Sequence, residues 1–370
     1  SWSSISGDSL GRLHVTYYDF LNQDLCYATY ESGNWTLSKL DDSGGVCSAM
    51  VSDDNNKQHI FYTDLVLAKT PLSYITNSGA KWMAESITTD GDVGEQSSIA
   101  VDGEGFVHIA YYDTTNGTLN YVCNIGGWST VVVDNSSANV GQYPSIGLDK
   151  EGTVHISYYD ATNRDLRYAT NAGGEWTTDS RDTGGDVGLH SSLSVDSNGS
   201  VDIVYLSSTS KNLKYTGNAG GDWVISLVDN SGNVDSKVTS VVDSNGTVHA
   251  VYYRGGELVH AYQTATGWDR ETVDSTGSLG EGLSMFICEN DVIYITYYNT
   301  FSSILKYVNN ANGTWGTPES IEAGGAGGIG SAITVDQNGN ERISYVDTAS
   351  GILKYAERRN GIWMYQKVDL

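Results

Sequence analysis

The sequence predicts an all-β fold, an eight-bladed β-propeller in which each blade is a four-stranded antiparallel sheet. One unit of about 46 residues recurs eight times along residues 1–370. A tyrosine column, a tryptophan column and an L-x-Y triplet all follow this period, with spacings between 45 and 49 residues. Tandem units of roughly 40–50 residues that each contain four short strands are typical of propeller blades.

Two aromatic columns set the register of the repeat. A tyrosine recurs in the second strand at Tyr17, Tyr62, Tyr111, Tyr158, Tyr205, Tyr252, Tyr297 and Tyr345. A tryptophan opens the fourth strand at Trp35, Trp82, Trp128, Trp176, Trp223, Trp268, Trp315 and Trp363. Eight of the nine tryptophans therefore occupy one column, which chance does not produce.

The four strands of a unit follow from its composition. The first strand reads like SIAVD, the second like HIAYYD, the third like LKYAT and the fourth like WTTDS. These segments are rich in Val, Ile, Thr and Tyr, which fit a pleated surface. Short loops with Gly, Asn and Asp separate them. No segment has the period of an amphipathic helix longer than a turn or two.

The repeat predicts a single domain over residues 1–370, because composition does not change along the chain. The first unit starts with a complete first strand near residues 3–8, and the last ends with a complete fourth strand at residues 363–370. No blade is therefore expected to be shared between the two ends. Side-chain packing of blade 1 on blade 8 would close the ring.

The turn between the first two strands has an aspartate followed three residues later by a glycine, as in Asp102 and Gly105. Aspartate accepts hydrogen bonds from nearby N–H groups and glycine adopts positive φ, so this pair predicts a hairpin turn. The seventh unit departs from the pattern, with Cys288 and Asp291 in these two places.

One histidine column lies in the second strand and raises the question of a metal site. It contains five of the seven histidines, namely His14, His59, His108, His155 and His249. Equivalent side chains on different blades cannot converge on one ion, whose ligands lie within about 2 Å. We expect these imidazoles to make structural hydrogen bonds instead.

Acidic loops predict calcium as a cofactor. Propeller geometry places the loops between strands two and three on the same face as the blade-to-blade crossings, and both sets are acidic here. Oxygen ligands on glycine-rich loops suit Ca²⁺. The alternative is that these side chains form Asx turns on a solvated face. The candidate ligands are Asp19, Asn22, Asp24, Asp113, Asp160, Asn163 and Asp165.

The sequence also suggests two covalent modifications. Six N-x-S/T sequons lie in predicted turns or strand ends, where a glycan could be accommodated, at Asn34, Asn116, Asn135, Asn198, Asn245 and Asn312. We hypothesise a disulfide between Cys26 and Cys47, because both could lie near the same face. Cys123 and Cys288 are four blades apart and are expected to stay unpaired.

Charge and hydropathy exclude several partners. The formal net charge is −25 and the isoelectric point is about 4.4. Nucleic acid is excluded as a partner, since phosphate binding needs clustered Lys and Arg. No apolar run approaches the roughly 18 residues of a membrane helix, so membrane insertion is not expected. The excess of negative charge fits an exported protein at the cell surface or outside the cell.

Familiar catalytic signatures are missing from the sequence. It contains no G-x-S-x-G elbow, no Walker loop, no C-x-x-C pair and no H-E-x-x-H. Sialidase-type propellers need several arginines that converge on a carboxylate. The arginines of this sequence do not recur in one column. Carboxylates are abundant, so a polysaccharide-cleaving site remains an alternative.

The pattern YYD-x-x-N-x-x-L-x-Y-A-T-N-x-G-G-x-W resembles the repeats of secreted or cell-surface prokaryotic propeller proteins, often described as sialidase-like. It is also distantly similar to the fucose-binding lectin propellers. The resemblance implies the architecture along the whole chain. Those lectins place Arg, Glu and Trp between blades. Here no Arg–Glu pair is expected to accompany the tryptophan column, so their sugar sites do not carry over.

Closely similar repeats favour a scaffold, because a single active site would mark one or two blades as special. We therefore expect a non-enzymatic extracellular module, structural or adhesive, that binds other copies of itself or cell-surface proteins and glycans. A multivalent lectin and a polysaccharide-cleaving enzyme are the alternatives. Blades 5 to 8 are the less regular side, with Ser207, Arg254 and Asn299 in place of the aspartate after the tyrosine.

Overall fold

The computed structural model describes residues 3–19, 22–42, 45, 48–63, 71–77, 81–87, 93–276, 279–322, 327–328, 330–336, 339–347 and 350–368. These residues form strands and turns, with no helix among them. This part of the chain contains no apolar helix of membrane-spanning length.

The fold is an eight-bladed β-propeller, which confirms the prediction. Eight four-stranded sheets are present, and consecutive strands of each sheet pair in antiparallel fashion. Every blade is built from one repeat, so no blade is shared between distant parts of the chain. The first and fourth strands form the two edges of each blade.

The chain divides into two compact units, and single-domain organisation stays a prediction. The first unit, Ser1–Asp90 with Thr276–Leu370, contains blades 1, 2, 7 and 8. Blade 1 comprises β1 (Ser3–Gly7), β2 (Leu13–Asp19), β3 (Asp24–Glu31) and β4 (Asn34–Asp41). Blade 2 comprises β5 (Ala49–Ser52), β6 (Gln58–Thr63), β7 (Leu72–Thr76) and β8 (Met83–Ser86).

The second unit, Gly91–Ser275, contains blades 3 to 6. Blade 3 comprises β9 (Val93–Val101), β10 (Val107–Asp113), β11 (Thr118–Cys123) and β12 (Ser129–Asp134). Blade 4 comprises β13 (Val140–Leu148), β14 (Val154–Asp160), β15 (Asp165–Thr170) and β16 (Thr177–Asp182). Blade 5 comprises β17 (Val187–Val195), β18 (Val201–Ser207), β19 (Asn212–Gly217) and β20 (Val224–Asp229). Blade 6 comprises β21 (Val234–Val242), β22 (Val248–Arg254), β23 (Glu257–Thr264) and β24 (Gly267–Asp274).

The last two blades complete the first unit. Blade 7 comprises β25 (Leu279–Ile287), β26 (Ile293–Asn299), β27 (Ile304–Asn309) and β28 (Glu319–Ser320). Blade 8 comprises β29 (Ala332–Val335), β30 (Glu341–Val346), β31 (Leu353–Arg359) and β32 (Ile362–Lys367). The fourth strand of blade 7 is the shortest of the 32 described strands, and this matters for the site described below.

The core lies between blades, because each sheet buries side chains on both faces. One cluster joins Leu213 and Tyr215 of blade 5 to Val248, Tyr252 and Val259 of blade 6. All eight residues of the second-strand tyrosine column are at most 4% exposed. Second strands therefore read as nearly continuous apolar runs, as expected for a strand covered on both sides.

Blade 8 packs directly on blade 1 within the first unit, as predicted. Leu13 and Val15 of blade 1 share a buried cluster with Leu353 and Tyr355 of blade 8. The ring of Trp35 lies 5.1 Å from that of Tyr355, edge to face. Contacts of this kind join the two blades without sharing a strand.

The Asp–Gly turns have the predicted chemistry. In blade 3, the Asp102 carboxylate accepts the N–H groups of Glu104 and Phe106 at 3.0 and 2.8 Å, and Gly105 has φ of 87°. In blade 7, Asp291 replaces the glycine and adopts the same left-handed conformation, with φ of 63°. Aspartate tolerates this region better than most residues, which explains the exception.

Candidate functional site

Within each of the two units, neighbouring blades meet at an aromatic pair that we call the seam. At each of these six seams, the tryptophan of one blade lies against the L-x-Y tyrosine of the preceding blade. Ring centroids of Tyr168 and Trp223 are 4.9 Å apart, and those of Tyr307 and Trp363 are also 4.9 Å apart. The tryptophan column therefore packs blades together. These tryptophans lie at the start of the fourth strand or immediately before it, as predicted.

Behind the seam, the histidine column makes structural hydrogen bonds, as predicted. In blade 4, His155 Nδ1 lies 2.6 Å from the Tyr168 hydroxyl, and His155 Nε2 lies 3.6 Å from the carboxylate of Asp149 in the turn. Equivalent His–Tyr contacts of 2.5–2.6 Å occur for His14, His59 and His108. We call this arrangement the relay. It satisfies the tyrosine hydroxyl within its own blade.

Burial controls the charge of the relay. It lowers the pKa of His14, His59, His108 and His155 below the usual histidine value, although the turn aspartates oppose the shift. These imidazoles are therefore neutral at neutral pH. In blade 6, the relay tyrosine is replaced by His260, and burial lowers its pKa to about 4.

The blade-to-blade crossings are acidic, and protein cations lie against several of these acids. The Tyr158 hydroxyl donates to Asp134 at 2.6 Å, and the Arg167 guanidinium lies 3.0 Å from the same carboxylate. Lys214 pairs with Asp182 in the next crossing. The charged side chain comes from the middle position of the L-x-Y triplet, so part of the negative charge on this face is neutralised internally.

The predicted calcium ligands are engaged in turns. Asp160 accepts the N–H groups of Thr162 and Asn163, each at 3.0 Å, and the side-chain amide of Asn163 at 2.8 Å. Asp113 makes the same Asx turn. Asp19 bonds Asn22 in the equivalent loop. Asp24 and Asp165 lie across the hairpin from Asp19 and Asp160.

These contacts are those of the Asx-turn alternative. Within the described residues, no three His, Cys, Asp or Glu side chains are grouped closely enough to hold a metal ion. Calcium binding stays a prediction. Comparing thermal unfolding with excess Ca²⁺ and then with chelator, at fixed ionic strength, would test it.

The modification sites have different outcomes. All six sequon asparagines are exposed, at Asn34, Asn116, Asn135, Asn198, Asn245 and Asn312. Glycan attachment itself stays a prediction. Cys26 lies in β3, but Cys47 lies outside the described residues, so the disulfide hypothesis is not tested. Cys123 and Cys288 are free thiols.

Blade 7 departs from the regular seam because its relay is absent. Tyr294 occupies the histidine position and Cys288 the aspartate position. After Trp315, the residues Gly316 and Pro318 interrupt the fourth strand, because proline has no N–H to donate to the ladder. Only Glu319–Ser320 remain paired in β28. The outer edge of the seam between blades 7 and 8 is consequently open.

A charged network lies in this open seam. Arg358 of blade 8 pairs with Glu319 at 2.7 Å and approaches Glu341 at 3.6 Å. The Trp363 indole N–H donates to Glu319 at 3.0 Å. With no relay histidine available, the Tyr307 hydroxyl donates across the seam to Glu341 at 2.7 Å. The two blades are thereby connected by one continuous set of polar contacts.

The network borders a pocket of about 410 Å³. This volume lies within the roughly 300–1,000 Å³ typical of small-molecule sites. Burial disfavours the charge of Arg358, but Glu319 and Glu341 outweigh it and hold the pKa of the guanidinium above its usual value. Burial also raises the pKa of Tyr307, which stays protonated. Amides complete the lining at Asn309, Asn312, Asn340 and Asn360.

The expectation that no Arg–Glu pair accompanies the tryptophan column is wrong at this seam. Arg358 and Glu319 come from different blades, so no short motif joins them in the sequence. Three local signals do mark blade 7: the lost relay histidine, the lost turn aspartate and Pro318 after the tryptophan. Departures from the repeat were expected on blades 5 to 8, and the altered seam of blade 7 lies among them.

The sequence matches no protein-family profile and no curated protein. Solved structures with a similar fold include the polysaccharide lyase Uly1, at 12% identity and TM-score 0.52, over 80% of this chain and 86% of that one. A puromycin hydrolase S511A mutant matches with 11% identity and TM-score 0.54, over 93% of this chain and 58% of that one. The Aleuria aurantia lectin aligns at 13% identity and TM-score 0.44, over 73% of this chain and 94% of the lectin.

Proposed function

We propose that this chain is a carbohydrate-binding propeller that holds one saccharide unit in the pocket between blades 7 and 8. The observation that carries the proposal is the Arg358–Glu319–Glu341 network beside the rings of Trp363 and Tyr307. Sugars present both hydroxyl groups and apolar C–H faces. A site that combines charged hydrogen-bonding groups with an aromatic ring matches both.

The polar groups suit hydroxyl recognition. Carboxylates accept two or more hydrogen bonds, and a guanidinium donates several in a fixed plane. Arg358 also contacts both aromatic rings, at 5.6 Å from the Tyr307 centroid and 5.9 Å from the Trp363 centroid. These contacts orient the guanidinium before a ligand arrives, which reduces the entropy lost on binding.

The network favours binding over cleavage. Both carboxylates near the pocket are already paired with Arg358, whereas glycoside hydrolysis needs one carboxyl group to deliver a proton and the other to attack or activate water. The fold is also that of a polysaccharide lyase, which supports a carbohydrate ligand more than a particular reaction. We place the protein at the cell surface or outside the cell, consistent with its net charge of −25 and its exposed sequons.

A glycan array probed with unglycosylated protein tests the proposal. Wild type should bind a set of glycans that share a terminal unit, and Arg358→Ala should lose that binding. Arg181→Ala is the matched control, because Arg181 also lies over a seam, 4.3 Å from the Trp223 centroid, but beside no glutamate pair. Loss of binding in both variants, or in neither, contradicts the proposal.

Glycosylation provides a second readout of the same pocket. Asn312 lines the pocket and is a sequon asparagine. A glycan on this residue would occupy the space that the ligand needs. Protein that carries a glycan at Asn312 should therefore bind the array hit more weakly than the Asn312→Gln variant made in the same host.

A structural or adhesive role is the second candidate, favoured by one exposed edge. The fourth strand of blade 5, β20, exposes Val224, Ile225 and Leu227 by 57%, 50% and 50%. An exposed apolar edge strand promotes pairing with another chain, here a second copy of the protein. Ile225→Lys should abolish any concentration-dependent dimer seen by sedimentation. A wild type that stays monomeric at high concentration removes this candidate.

A further inference from the structure

First strands of adjacent blades are joined by a serine ladder. The Ser98 hydroxyl accepts the N–H of Ile146 at 3.2 Å, and the Ser145 hydroxyl accepts the N–H of Leu193 at 3.0 Å. Ser192 repeats the contact with Ser240 at 3.0 Å. The same hydrogen bond therefore recurs at the three junctions between blades 3 and 6.

Two residues before this column, the repeat stops being constant. The position holds Gln96 in blade 3, Tyr143 in blade 4, His190 in blade 5 and Lys237 in blade 6, where Thr239 takes the serine place. Strand pairing shifts register here, between Gln142 and Ser145 in β13 and between Leu189 and Ser192 in β17. The bulge turns the residue at this position out of the regular ladder.

Tyr143 and His190 adopt an unfavourable backbone conformation. Their φ angles are 52° and 49°, in the left-handed region. Ten non-glycine residues of the described chain have positive φ, and these are the two that lie within strands. Tyr143 also precedes Pro144, and the residue before proline prefers extended backbone. Strain of this kind is concentrated at functional sites.

Glycine occupies the same position in two other blades. Gly282 of blade 7 and Gly330 of blade 8 have φ of 63° and 76°. In blade 7 the register shift between Glu281 and Ser284 contains Gly282, so the bulge forms there without a side chain at this position. Blades 4 and 5 place an aromatic ring where a glycine would be less strained.

These side chains form one polar and aromatic row. The N–H of Tyr143 donates to the Gln96 side-chain oxygen at 2.7 Å. The Tyr143 and His190 rings are in contact, with centroids 4.4 Å apart and planes inclined at 48°. Both rings are half-buried, so one part is held by the protein and the other faces solvent. Gln96, Tyr143 and His190 thus present hydrogen-bonding groups and ring faces along three consecutive blades.

We propose that this row is a second binding site, which takes a linear neutral oligosaccharide laid across blades 3 to 5. The inference rests on the proposed carbohydrate-binding function. Successive blades offer successive contacts, which fits an extended chain better than a single ring. A net charge of −25 repels polyanions, so a neutral ligand is favoured over an acidic one.

Glycine substitutions separate a binding role from a structural one. Tyr143→Gly and His190→Gly remove the rings and relieve the left-handed strain, so each should raise the melting temperature by roughly 1–3 °C or leave it unchanged. Each should weaken binding of the best ligand among cellohexaose, mannohexaose and xylohexaose about tenfold, measured by isothermal titration calorimetry. Lys211→Gly, at a left-handed turn residue with φ of 51°, is the matched control and should leave binding unchanged.

Three outcomes overturn the inference. The first is that wild type binds none of the three hexasaccharides. The second is that both glycine variants lower the melting temperature markedly, which would make the rings structural. The third is that hexasaccharide binding survives both glycine variants. If hexasaccharide binding survives both glycine variants but is lost in Arg358→Ala, the row is not the binding site, whereas the proposed function of the pocket between blades 7 and 8 still stands.

Discussion

The seam between blades 4 and 5 and the seam between blades 7 and 8 use the same aromatic pair for different purposes. At the first, His155 engages the Tyr168 hydroxyl inside blade 4. At the second, histidine is missing and the Tyr307 hydroxyl reaches Glu341 of the next blade. The comparison shows how a repeat acquires a site. Without a histidine partner, the Tyr307 hydroxyl accepts from Asn309 of its own blade and donates to Glu341 of the next blade.

The largest effect should come from removing the aromatic ring at each seam. Trp223→Ala should reduce the free energy of unfolding by about 3 kcal/mol, as expected for truncation of a packed aromatic residue. Trp363→Ala should cost less, because only a two-residue fourth strand of blade 7 remains at this seam, but it should abolish glycan binding, because Glu319 of the pocket loses the Trp363 indole N–H. Denaturant unfolding and the glycan array measure the two effects. Equal stability losses at the two seams would contradict the distinction between them.

Blade 5 tests what happens when the relay histidine is replaced by an acid. Asp202 takes the histidine position and accepts the Tyr215 hydroxyl. Burial raises the pKa of Asp202 to about 6, despite that hydrogen bond. The folded state thus holds this proton more tightly than the unfolded state, and stability decreases as pH rises from about 4 to 6.

Asp202→Asn should therefore stabilise the protein by about 2–3 kcal/mol at pH 8 and by much less at pH 4. Asp229→Asn is the control. Although burial opposes it, hydrogen bonds from Tyr252 and Ser231 hold the pKa of Asp229 below the usual value. That variant should be destabilised at pH 8. Chemical unfolding at the two pH values measures both effects. A pH-independent effect of Asp202→Asn would contradict the raised pKa of Asp202.

Removing the seam hydroxyls should give a smaller difference. Tyr168→Phe leaves the buried His155 nitrogen without its partner, which should cost about 1–3 kcal/mol. Tyr307→Phe should cost about 1 kcal/mol or less, because Glu341 keeps its contact with Arg358. Thermal unfolding of the two variants compares them directly. A larger stability loss for Tyr307→Phe than for Tyr168→Phe would mean that the seam between blades 7 and 8 depends on its tyrosine hydroxyl more than the seam between blades 4 and 5 does.

The smallest effect should be the response of the relay to acid. Burial lowers the pKa of His155 and its equivalents in the folded state, because an apolar environment disfavours the charged imidazole. The unfolded state, with histidine pKa values near 6.5, binds these protons more tightly. Stability should therefore be lost as pH falls below about 6.5.

Melting temperatures measured on either side of that pH check the response. Melting temperatures should decrease on acidification in the Asp202→Asn background. This background is used because the Asp202 carboxyl group, whose pKa is raised, would stabilise the folded state on acidification and mask the effect of the histidines. A constant or rising melting temperature would count against neutral relay histidines.

Much of the fold was predictable from the sequence, because the residues that define it recur at one spacing. Trp223 and Tyr205 set the strands, and Asp102 with Gly105 sets a turn. The hydrogen bond between His155 and Tyr168 was predictable only as a type, since its partner lies 13 residues away on the next strand.

The candidate site was less predictable, because its members meet only through packing between blades. Arg358 and Glu319 are 39 residues apart and belong to different repeats. The left-handed backbone of Tyr143 depends on a register shift that no local motif encodes. Departures from the repeat, such as Pro318 after the tryptophan, were the visible signal.

The stoichiometry of binding tests the central claim most directly, that a departure from the repeat creates the pocket. Isothermal titration calorimetry with the methyl glycoside of the terminal unit found on the array should give one site per chain, lost in Arg358→Ala. Several equivalent sites per chain, or a site that survives Arg358→Ala, would show instead that the repeated seams bind the sugar.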